Sequence, residues 1–390
     1  MNASSDSPKP VAAVITSWRT NSHADVILAR LLEPEAWGHK EPYALKLVSI
    51  FADQFPDNDL CRRYAQEHDV AIFPTIAGAV GVGTRGVPVE GVIIVGEHGS
   101  YAANTKGQRL YPRRRLFEGV VNAFRVLGRR VPVFSDKHLS YEWSFARWMV
   151  ELARHEGFPL MAGSSLPVAW RIPPLTLPIG AELTDAFSLG YSDLDAYGFH
   201  AIETLQCMTE RRRGGETGVA SVRCLSGKAV WDAAEAGLWS RSLVDDLLSA
   251  RKSFQSSARP VTQRDDDALF LIRYADGLKA AVDMFNSVGE CFGFSCLRRG
   301  IEQPDAAVFA LQEGRPYGHF GYLVRAIERM MVTGRPSYPV ERTLLTSGIL
   351  SAALQSRSEG GSEIATPHLA AVHYEPVDWP FASGPVGTPA

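Results

Sequence analysis

The sequence predicts an α/β protein: a Rossmann-like, doubly wound parallel sheet, followed by a C-terminal α+β domain with an open, mostly antiparallel sheet. Short apolar runs alternate with amphipathic segments through residues 11–155, which is typical of parallel strands joined by helices. Later, Asp276-Gly277 interrupts the run ALFLIRYADGLKAAVDMF and predicts a hairpin of two antiparallel strands. The length of 390 residues favours two domains.

The elements of the first domain follow from its apolar patterns. Strands of the parallel sheet are predicted at 11–15, 45–51, 71–73, 89–95 and 131–134. Helices are predicted from Ser22, over 59–68, and over 114–127, where Gly128 is a stop signal. The run Arg113-Arg114-Arg115 opens the last of these helices and is expected to form a solvated face. A further short strand is expected at 158–162.

A composition change after about residue 155 places the domain boundary, because several prolines follow it. We therefore predict a Rossmann-like domain over 11–155, a C-terminal domain over 156–374 and a Pro/Gly-rich tail over 375–390. Within the second domain, helices are predicted at 198–210, 321–332 and 344–356, and β-rich segments at 218–230 and 268–285.

Composition excludes several classes of function. The formal net charge is −3, which gives no case for nucleic-acid binding through bulk charge. No apolar run is long enough to span a membrane, and the N-terminus lacks the apolar core of a signal peptide. The five cysteines form no CxxC pair, so we expect reduced thiols in a cytoplasmic protein. The expected partners are a small-molecule substrate and further copies of the chain, joined through the C-terminal sheet.

The stretch VPVFSDKHLSY carries the strongest chemical signal. Its apolar start predicts a buried strand, and Asp136, Lys137 and His138 follow directly. In open α/β sheets, ligands bind at the carboxyl ends of the strands, so these three side chains are expected to face a crevice. Lys137 is a candidate general acid or base, because partial desolvation favours its neutral form. The alternatives are a solvated loop and a simple salt bridge between Lys137 and Asp136.

Two further stretches, GFHAIETLQ and the C-terminal run from Phe320 to Gly361, complete a pattern that resembles the Gfo/Idh/MocA family of glucose–fructose oxidoreductases and inositol dehydrogenases. In that resemblance, Asp136, Lys137 and His138 stand for the family's Glu-Lys-Pro motif. His200 falls on its helical histidine. The resemblance implies an oxidoreductase of a sugar or cyclitol that uses NAD(P), with Lys137 handling the proton of the substrate hydroxyl.

The loop after the first strand departs from that family. It reads TSWRTNSH, without the glycines that let backbone approach a pyrophosphate. If a nicotinamide cofactor binds, Thr16, Ser17, Arg19 and Asp53 are the expected contacts, but we predict weak or absent binding. Two alternatives therefore stay open: a redox-neutral lyase, isomerase or hydrolase, and a non-catalytic binding protein.

Histidines gather around the predicted crevice. His200 and Glu203 share one helix face, where they could act as an acid/base with its orienting group, as metal ligands, or as structural residues. The catalytic candidates are Lys137, His200, His138 and Tyr101. A divalent ion, Zn²⁺ or Mn²⁺, could bind a subset of His98, Asp136, His138, His200 and Glu203. Ser164 and Ser165 lie outside any Gly-x-Ser-x-Gly elbow and could bind substrate hydroxyls.

Overall fold

Six parallel strands form the first sheet of the protein. The computed structural model describes residues 7–84, 88–254, 262–312 and 314–390. The strands are β1 (Lys9–Ile15), β2 (Leu45–Ala52), β3 (Ala71–Ile72), β4 (Gly91–Val95), β5 (Val133–Asp136) and β6 (Leu160–Gly163). Their order, β3-β2-β1-β4-β5-β6, is that of doubly wound dinucleotide-binding sheets. All five residues of β4 are buried, as expected of a strand covered on both faces.

Helices cover both faces of this sheet. They are α1 (His23–Leu32), α2 (Cys61–Glu67), α3 (Ile76–Gly81), α4 (Arg113–Leu127) and α5 (Trp143–Glu156). Ser22 caps α1 by accepting a hydrogen bond from the Asp25 backbone N–H, and Gly128 ends α4 in a left-handed conformation. The predicted helix starts and stops at these two residues are thus confirmed. Because β6 pairs with β5, the sheet continues past the boundary predicted near residue 155.

A second sheet of eight strands follows. It contains β7 (Trp170–Ile172), β8 (Leu183–Gly190), β9 (Val219–Ser226), β10 (Ala268–Tyr274), β11 (Lys279–Met284), β12 (Phe292–Arg298), β13 (Asp305–Ala310) and β14 (Ile364–Ala365). Their order is β14-β9-β10-β11-β8-β12-β13-β7, and every pair except β11–β8 is antiparallel. The predicted fold class and the predicted hairpin at Asp276-Gly277 are therefore confirmed.

In the described part of the second half, the helices are α6 (Ala196–Thr209), α7 (Lys228–Glu235), α8 (Arg241–Phe254), α9 (Gly318–Thr333) and α10 (Val340–Ser358). The β-rich segment predicted at 218–230 is wrong at its end, because Lys228 begins α7. Helix α10 packs on β6, β9, α5 and α6, so it joins the two sheets in one continuous core. Among the described residues, no helix combines the length and apolarity that a membrane span requires.

The segment predicted as a tail packs against the second half of the protein. The Ala382 backbone N–H donates to the Val168 carbonyl at 2.9 Å, and Trp170 Nε1 donates to the Ser383 carbonyl at 3.3 Å. Arg171 lies over the Phe381 ring. These contacts fix residues 381–383 beside β7.

Candidate active site

The carboxyl ends of β4 and β5 meet side by side and present the candidate site. Glu97 and His98 follow β4, and Lys137 follows β5. Both His98 (φ +67°) and Lys137 (φ +56°) adopt left-handed backbone conformations, which non-glycine residues rarely do. Such conformations persist only where the surroundings hold them, and they gather at functional sites. Here the Lys137 backbone N–H donates a hydrogen bond to the Gly163 carbonyl at 3.0 Å.

A buried charge cluster, which we call the Glu97 cluster, lies at this edge. Lys137 Nζ donates to Glu97 Oε1 at 2.9 Å, and Arg113 Nη2 donates to Oε2 at 2.7 Å. Arg113 Nη1 also donates to His138 Nε2 at 3.0 Å. All four residues are at most 4% exposed. The basic run predicted that Arg113 belongs to a solvated face. This prediction is wrong for Arg113, because its guanidinium is buried against the Glu97 carboxylate.

The Glu97 cluster fixes the charge state of Lys137. Burial favours neutral Lys137, but the Glu97 carboxylate outweighs burial and raises the lysine pKa. For Glu97, burial is likewise outweighed by Lys137 and Arg113, which hold its pKa well below the ordinary value. The expectation of a neutral lysine is thus wrong: Lys137 is an ammonium ion whose partner is Glu97. Burial, with Arg113 beside it, also keeps the pKa of His138 well below its ordinary value.

Asp136 pairs with a histidine that sequence patterns did not single out. His23, the first residue of α1, contacts Asp136 Oδ2 through Nδ1 at 2.7 Å. Its ring also lies edge-on to those of His98 and Phe320, with centroids 5.8 and 5.2 Å away. The only signal in the sequence was the position of His23 at the start of the first helix, at the same edge as the crevice.

Three residues form a hydrogen-bonded relay next to the cluster. His200 Nδ1 lies 3.0 Å from Ser164 Oγ, and Ser164 Oγ donates in a short bond to Glu203 Oε2. The Ser164 backbone N–H also contacts both Glu203 oxygens at 3.1 Å. Glycine at position 163 makes room for this arrangement, because a Cβ there would lie 2.5 Å from Glu203 Oε1. The relay therefore depends on the end of β6 as well as on α6.

The relay has two proton arrangements. Burial raises the pKa of Glu203 to about 7, although hydrogen bonds from Ser164 oppose the shift. Burial holds the pKa of His200 well below its ordinary value, so the imidazole is neutral. When Glu203 is ionised, Ser164 donates to it and accepts from His200 Nδ1–H, which leaves Nε2 as a proton acceptor. When Glu203 is protonated, the relay reverses and Nε2 carries the proton.

Of the four residues predicted to contact a nicotinamide cofactor, Thr16, Arg19 and Asp53 are engaged elsewhere, whereas the buried Ser17 hydroxyl has no hydrogen-bond partner among the described residues. Thr16 Oγ1 donates to the Glu97 carbonyl at 2.5 Å, and Ser17 is buried. Arg19 Nη2 donates to His98 Nδ1 at 3.0 Å. At the end of β2, Asp53 accepts from the Tyr101 hydroxyl at 2.7 Å and pairs with Arg115 at 2.6 Å. The predicted catalytic Tyr101 thus directs its hydroxyl to Asp53 and not to Lys137.

The start of α1 does not fit a dinucleotide pyrophosphate. Asp25 is 4% exposed, and its carboxylate accepts from the Trp18 indole N–H and from the Asn21 backbone N–H, each at 3.0 Å. Ser22 Oγ accepts from the backbone N–H groups of Arg19 and Asp25. A helix N-terminus binds phosphate through unpaired N–H groups and positive potential. Here the chain's own oxygens occupy the N–H groups of Arg19 and Asn21 in the loop and of Asp25 in the first turn, and a buried carboxylate would repel a phosphate.

The five residues predicted as metal ligands do not converge on one point. They contact four different residues instead. His98 pairs with Arg19, Asp136 with His23 and His138 with Arg113, while His200 and Glu203 both contact Ser164. Within the described ranges, the only group with three potential ligand atoms within 4.8 Å of one another is Glu33, Glu67 and His68, beyond the far end of α1. The predicted ligand set is therefore not assembled, because ion pairs and the relay take up its members.

Within the described part of the chain, four buried polar atoms of the Glu97 cluster and its neighbours have no hydrogen-bond partner: His98 Nε2, His138 Nδ1, Arg113 Nε and Asp136 Oδ1. Arg19 and Arg113 donate to the other nitrogens of the two histidines, so each unpaired nitrogen carries a hydrogen. The unpaired Asp136 oxygen is an acceptor. With the Arg113 Nε–H, the site thus offers three donors and one acceptor, and buried polar atoms normally find partners in ligand or water.

No family profile and no curated protein matches the sequence, but solved structures share its fold. GenD2 from gentamicin A biosynthesis, solved in complex with NAD, matches 94% of this chain and 98% of its own, at 15% identity and a TM-score of 0.59. The myo-inositol 2-dehydrogenase from Lactobacillus plantarum matches 92% and 99%, at 12% identity and a TM-score of 0.56. The myo-inositol dehydrogenase from Lactobacillus casei, solved with NAD(H) and myo-inositol, matches 92% of this chain and 96% of its own, at 12% identity and a TM-score of 0.56. At these identities the likeness shows the fold, as the resemblance predicted.

The Glu97 cluster predicts a specific mutational pattern. Lys137→Met should lower the free energy of unfolding by about 3 kcal/mol, because one cation is lost beside a buried carboxylate. The double variant Glu97→Gln/Lys137→Met should be more stable than the sum of the single changes indicates, by roughly 1–3 kcal/mol. Urea denaturation of all four proteins measures this coupling. Strict additivity would show that the two side chains do not interact.

The raised pKa of Glu203 predicts a pH dependence of stability. A carboxyl group whose folded pKa lies above its unfolded value stabilises the fold at low pH, and this contribution is lost as pH rises from about 4.5 to about 7. Glu203→Gln should therefore flatten the pH dependence, by roughly 3 kcal/mol between pH 4 and pH 8. Thermal unfolding across this range tests it, with the exposed Glu118→Gln as the control. Parallel curves for wild type and Glu203→Gln would contradict the shift.

Proposed function

We propose that this chain is an enzyme that performs redox-neutral acid–base chemistry on a polyhydroxylated small molecule, as a lyase, isomerase or hydrolase. One observation carries the proposal: the relay of His200, Ser164 and Glu203 lies beside the Lys137 ammonium. A neutral imidazole with a carboxyl group of pKa near neutrality supplies a proton acceptor and a proton donor at the same pH. A buried cation next to them stabilises a negative oxygen as it develops.

Each group has a distinct role in this proposal. With Glu203 ionised, His200 Nε2 takes a proton from a carbon or hydroxyl of the substrate, and the Glu203 charge stabilises the resulting imidazolium through Ser164. Lys137 uses one of its three N–H donors on Glu97 and offers the others to the substrate oxygen. Return of the proton from His200 to a different position, or to a leaving group, completes an isomerisation or an elimination.

The unpaired polar atoms support a polyhydroxylated substrate. A hydroxyl group both donates and accepts, so adjacent hydroxyls match the mixture of donors at His98 and His138 and the acceptor at Asp136. The fold neighbours point the same way, since two of them are named as dehydrogenases of myo-inositol. The same atoms would also serve a non-catalytic binding protein, which the experiment below distinguishes by turnover.

The second candidate is the NAD(P)-dependent oxidation of a sugar or cyclitol. Structures that share this fold contain NAD or NAD(H), which favours it. The start of α1 opposes it, because Asp25 places a buried carboxylate there and because Asp25 and Ser22 occupy N–H groups of the loop and of the first turn. We place the redox-neutral reaction first for this reason. The homo-oligomer and the cytoplasmic location stay predictions.

Hydrogen exchange separates these candidates. The protein in D₂O, with a panel of aldoses, ketoses and keto-inositols, should replace a carbon-bound hydrogen by deuterium without any nicotinamide, as followed by proton NMR. Addition of NAD⁺ or NADP⁺ to the same mixtures should produce no absorbance of reduced cofactor. Cofactor reduction that depends on one panel member would instead establish the oxidoreductase. Saturable binding without exchange or conversion would indicate a binding protein.

Substitutions in the relay should identify the acid–base group. His200→Gln keeps a polar side chain but cannot carry the proton, so the exchange rate should fall by about 10²–10⁴-fold. Ser164→Ala should lower the rate less and remove its dependence on pH near 7, because Glu203 is then uncoupled from His200. Ser165→Ala, a buried neighbour outside the relay, is the control. Unchanged exchange in His200→Gln would exclude this histidine as the base.

Calorimetry tests the cofactor position directly. Titration of wild-type protein with NADH or NADPH should give no saturable heat at millimolar cofactor, because the buried Asp25 carboxylate opposes the pyrophosphate. Asp25→Asn keeps the shape of the side chain and removes its charge, so any residual binding should strengthen in this variant. Tight stoichiometric binding by the wild type would refute the argument and move the oxidoreductase ahead.

A further inference from the structure

A second cavity of about 550 Å³ lies apart from the candidate active site. Its walls are the segment after β6, the end of α6, the start of α10 and residues 377–384 near the C-terminus. No member of the Glu97 cluster or of the relay is among its lining residues in the described part of the chain. Small-molecule sites in proteins typically have volumes of this size.

Three arginines line this cavity, and two of them are neutralised. Arg342 is bound by Glu210 through two hydrogen bonds, one of them at 2.8 Å, and both residues are buried. Arg211 pairs with Asp378 at 2.7 Å. Arg171 has no carboxylate within ion-pair distance among the described residues. The lining therefore carries one uncompensated positive charge.

Arg171 is buried without a counter-ion. It is 7% exposed, and its guanidinium donates to the carbonyls of Leu175 at 2.9 Å and Pro167 at 3.2 Å. Its Nε has no hydrogen-bond partner among the residues that the structure describes. A guanidinium has five N–H donors, so these two bonds leave donors that a ligand can use. Burial lowers the pKa of Arg171, but a guanidinium still keeps its proton at neutral pH.

Apart from these charged residues and the polar Thr176 and Ser383, the lining is mostly apolar and aromatic. The Phe381 ring lies 3.9 Å from Arg171 Cζ, and Trp170, Trp379 and Pro174 add further flat surface. An uncompensated buried charge is strongly unfavourable unless an opposite charge joins it. The walls suit a ligand with a flat apolar body and one anionic group.

We infer that this cavity is a second ligand site, which binds a small monoanionic organic molecule, a carboxylate on a flat apolar body, with the anion on Arg171. The carboxylate would complete the charge balance that Glu210 and Asp378 provide for the other two arginines. The apolar body would pack between Phe381 and the tryptophans. This site is independent of the reaction proposed for His200.

Titration calorimetry with benzoate and phenylacetate tests the inference. Wild-type protein should bind at least one of them saturably, and the neutral analogue benzyl alcohol should bind at least about tenfold more weakly. Arg171→Met should weaken binding of the carboxylate by about tenfold or more and leave that of the alcohol unchanged. The exposed Arg213→Met, which removes a positive charge outside the cavity, should bind like wild type.

Phe381→Ala keeps Arg171 and tests the apolar half of the site, so the inference stays testable if Arg171→Met does not fold. This variant should also bind the carboxylates more weakly, with circular dichroism like that of wild type. Absence of saturable binding of both carboxylates to wild type would overturn the inference. Equal affinities in wild type and Phe381→Ala, or binding of inorganic phosphate in place of the organic anions, would overturn the assigned ligand class.

Discussion

The Glu97 carboxylate is the group on which the arrangement at the carboxyl edge depends. It holds Lys137 from β5 and Arg113 from α4, and through Arg113 it reaches His138. A buried carboxylate with two cations keeps all three ionised, whereas any one of them alone would lose its charge or leave the interior. The same ion pairs therefore fix the geometry of the edge and the positive potential that a reacting oxygen would meet.

The start of α1 shows how a fold can keep its shape while the chemistry of its usual binding position changes. Strand order and helix placement are those of a dinucleotide-binding sheet. Yet the side chains of Asp25 and Ser22 accept hydrogen bonds from the Trp18 indole N–H and the Arg19 backbone N–H of the loop. Trp18 is buried and stacks on Tyr64. The glycines of a phosphate loop are needed only when backbone must approach a ligand, so a self-satisfied loop tolerates bulky residues.

The sequence predicted the fold well because burial leaves a local trace. Strands such as β4 and helices such as α4 show their periodicity within a few residues, and Gly128 and Ser22 mark helix ends. The candidate site was predicted only in part. The sequence named Lys137 and His200 as candidates but not their partners, because Glu97 lies 40 positions from Lys137 and Ser164 lies 36 from His200. Such pairings arise from the strand order, which periodicity does not encode, so the basic run at Arg113 was misread as a surface.

Helix α6, which is largely buried, carries polar side chains that belong to the candidate active site and leads to others that line the second cavity. Its first half carries His200 and Glu203, and its C-terminal end leads to Glu210 and Arg211 at the second cavity. The segment after β6 makes a parallel connection, since Ser164 belongs to the relay and Pro167 lines the cavity. Both connections run through the chain alone, because no residue of the relay lines the cavity in the described part of the chain. The two sites can therefore be occupied separately, and the proton arrangement of the relay is set by burial and by Ser164.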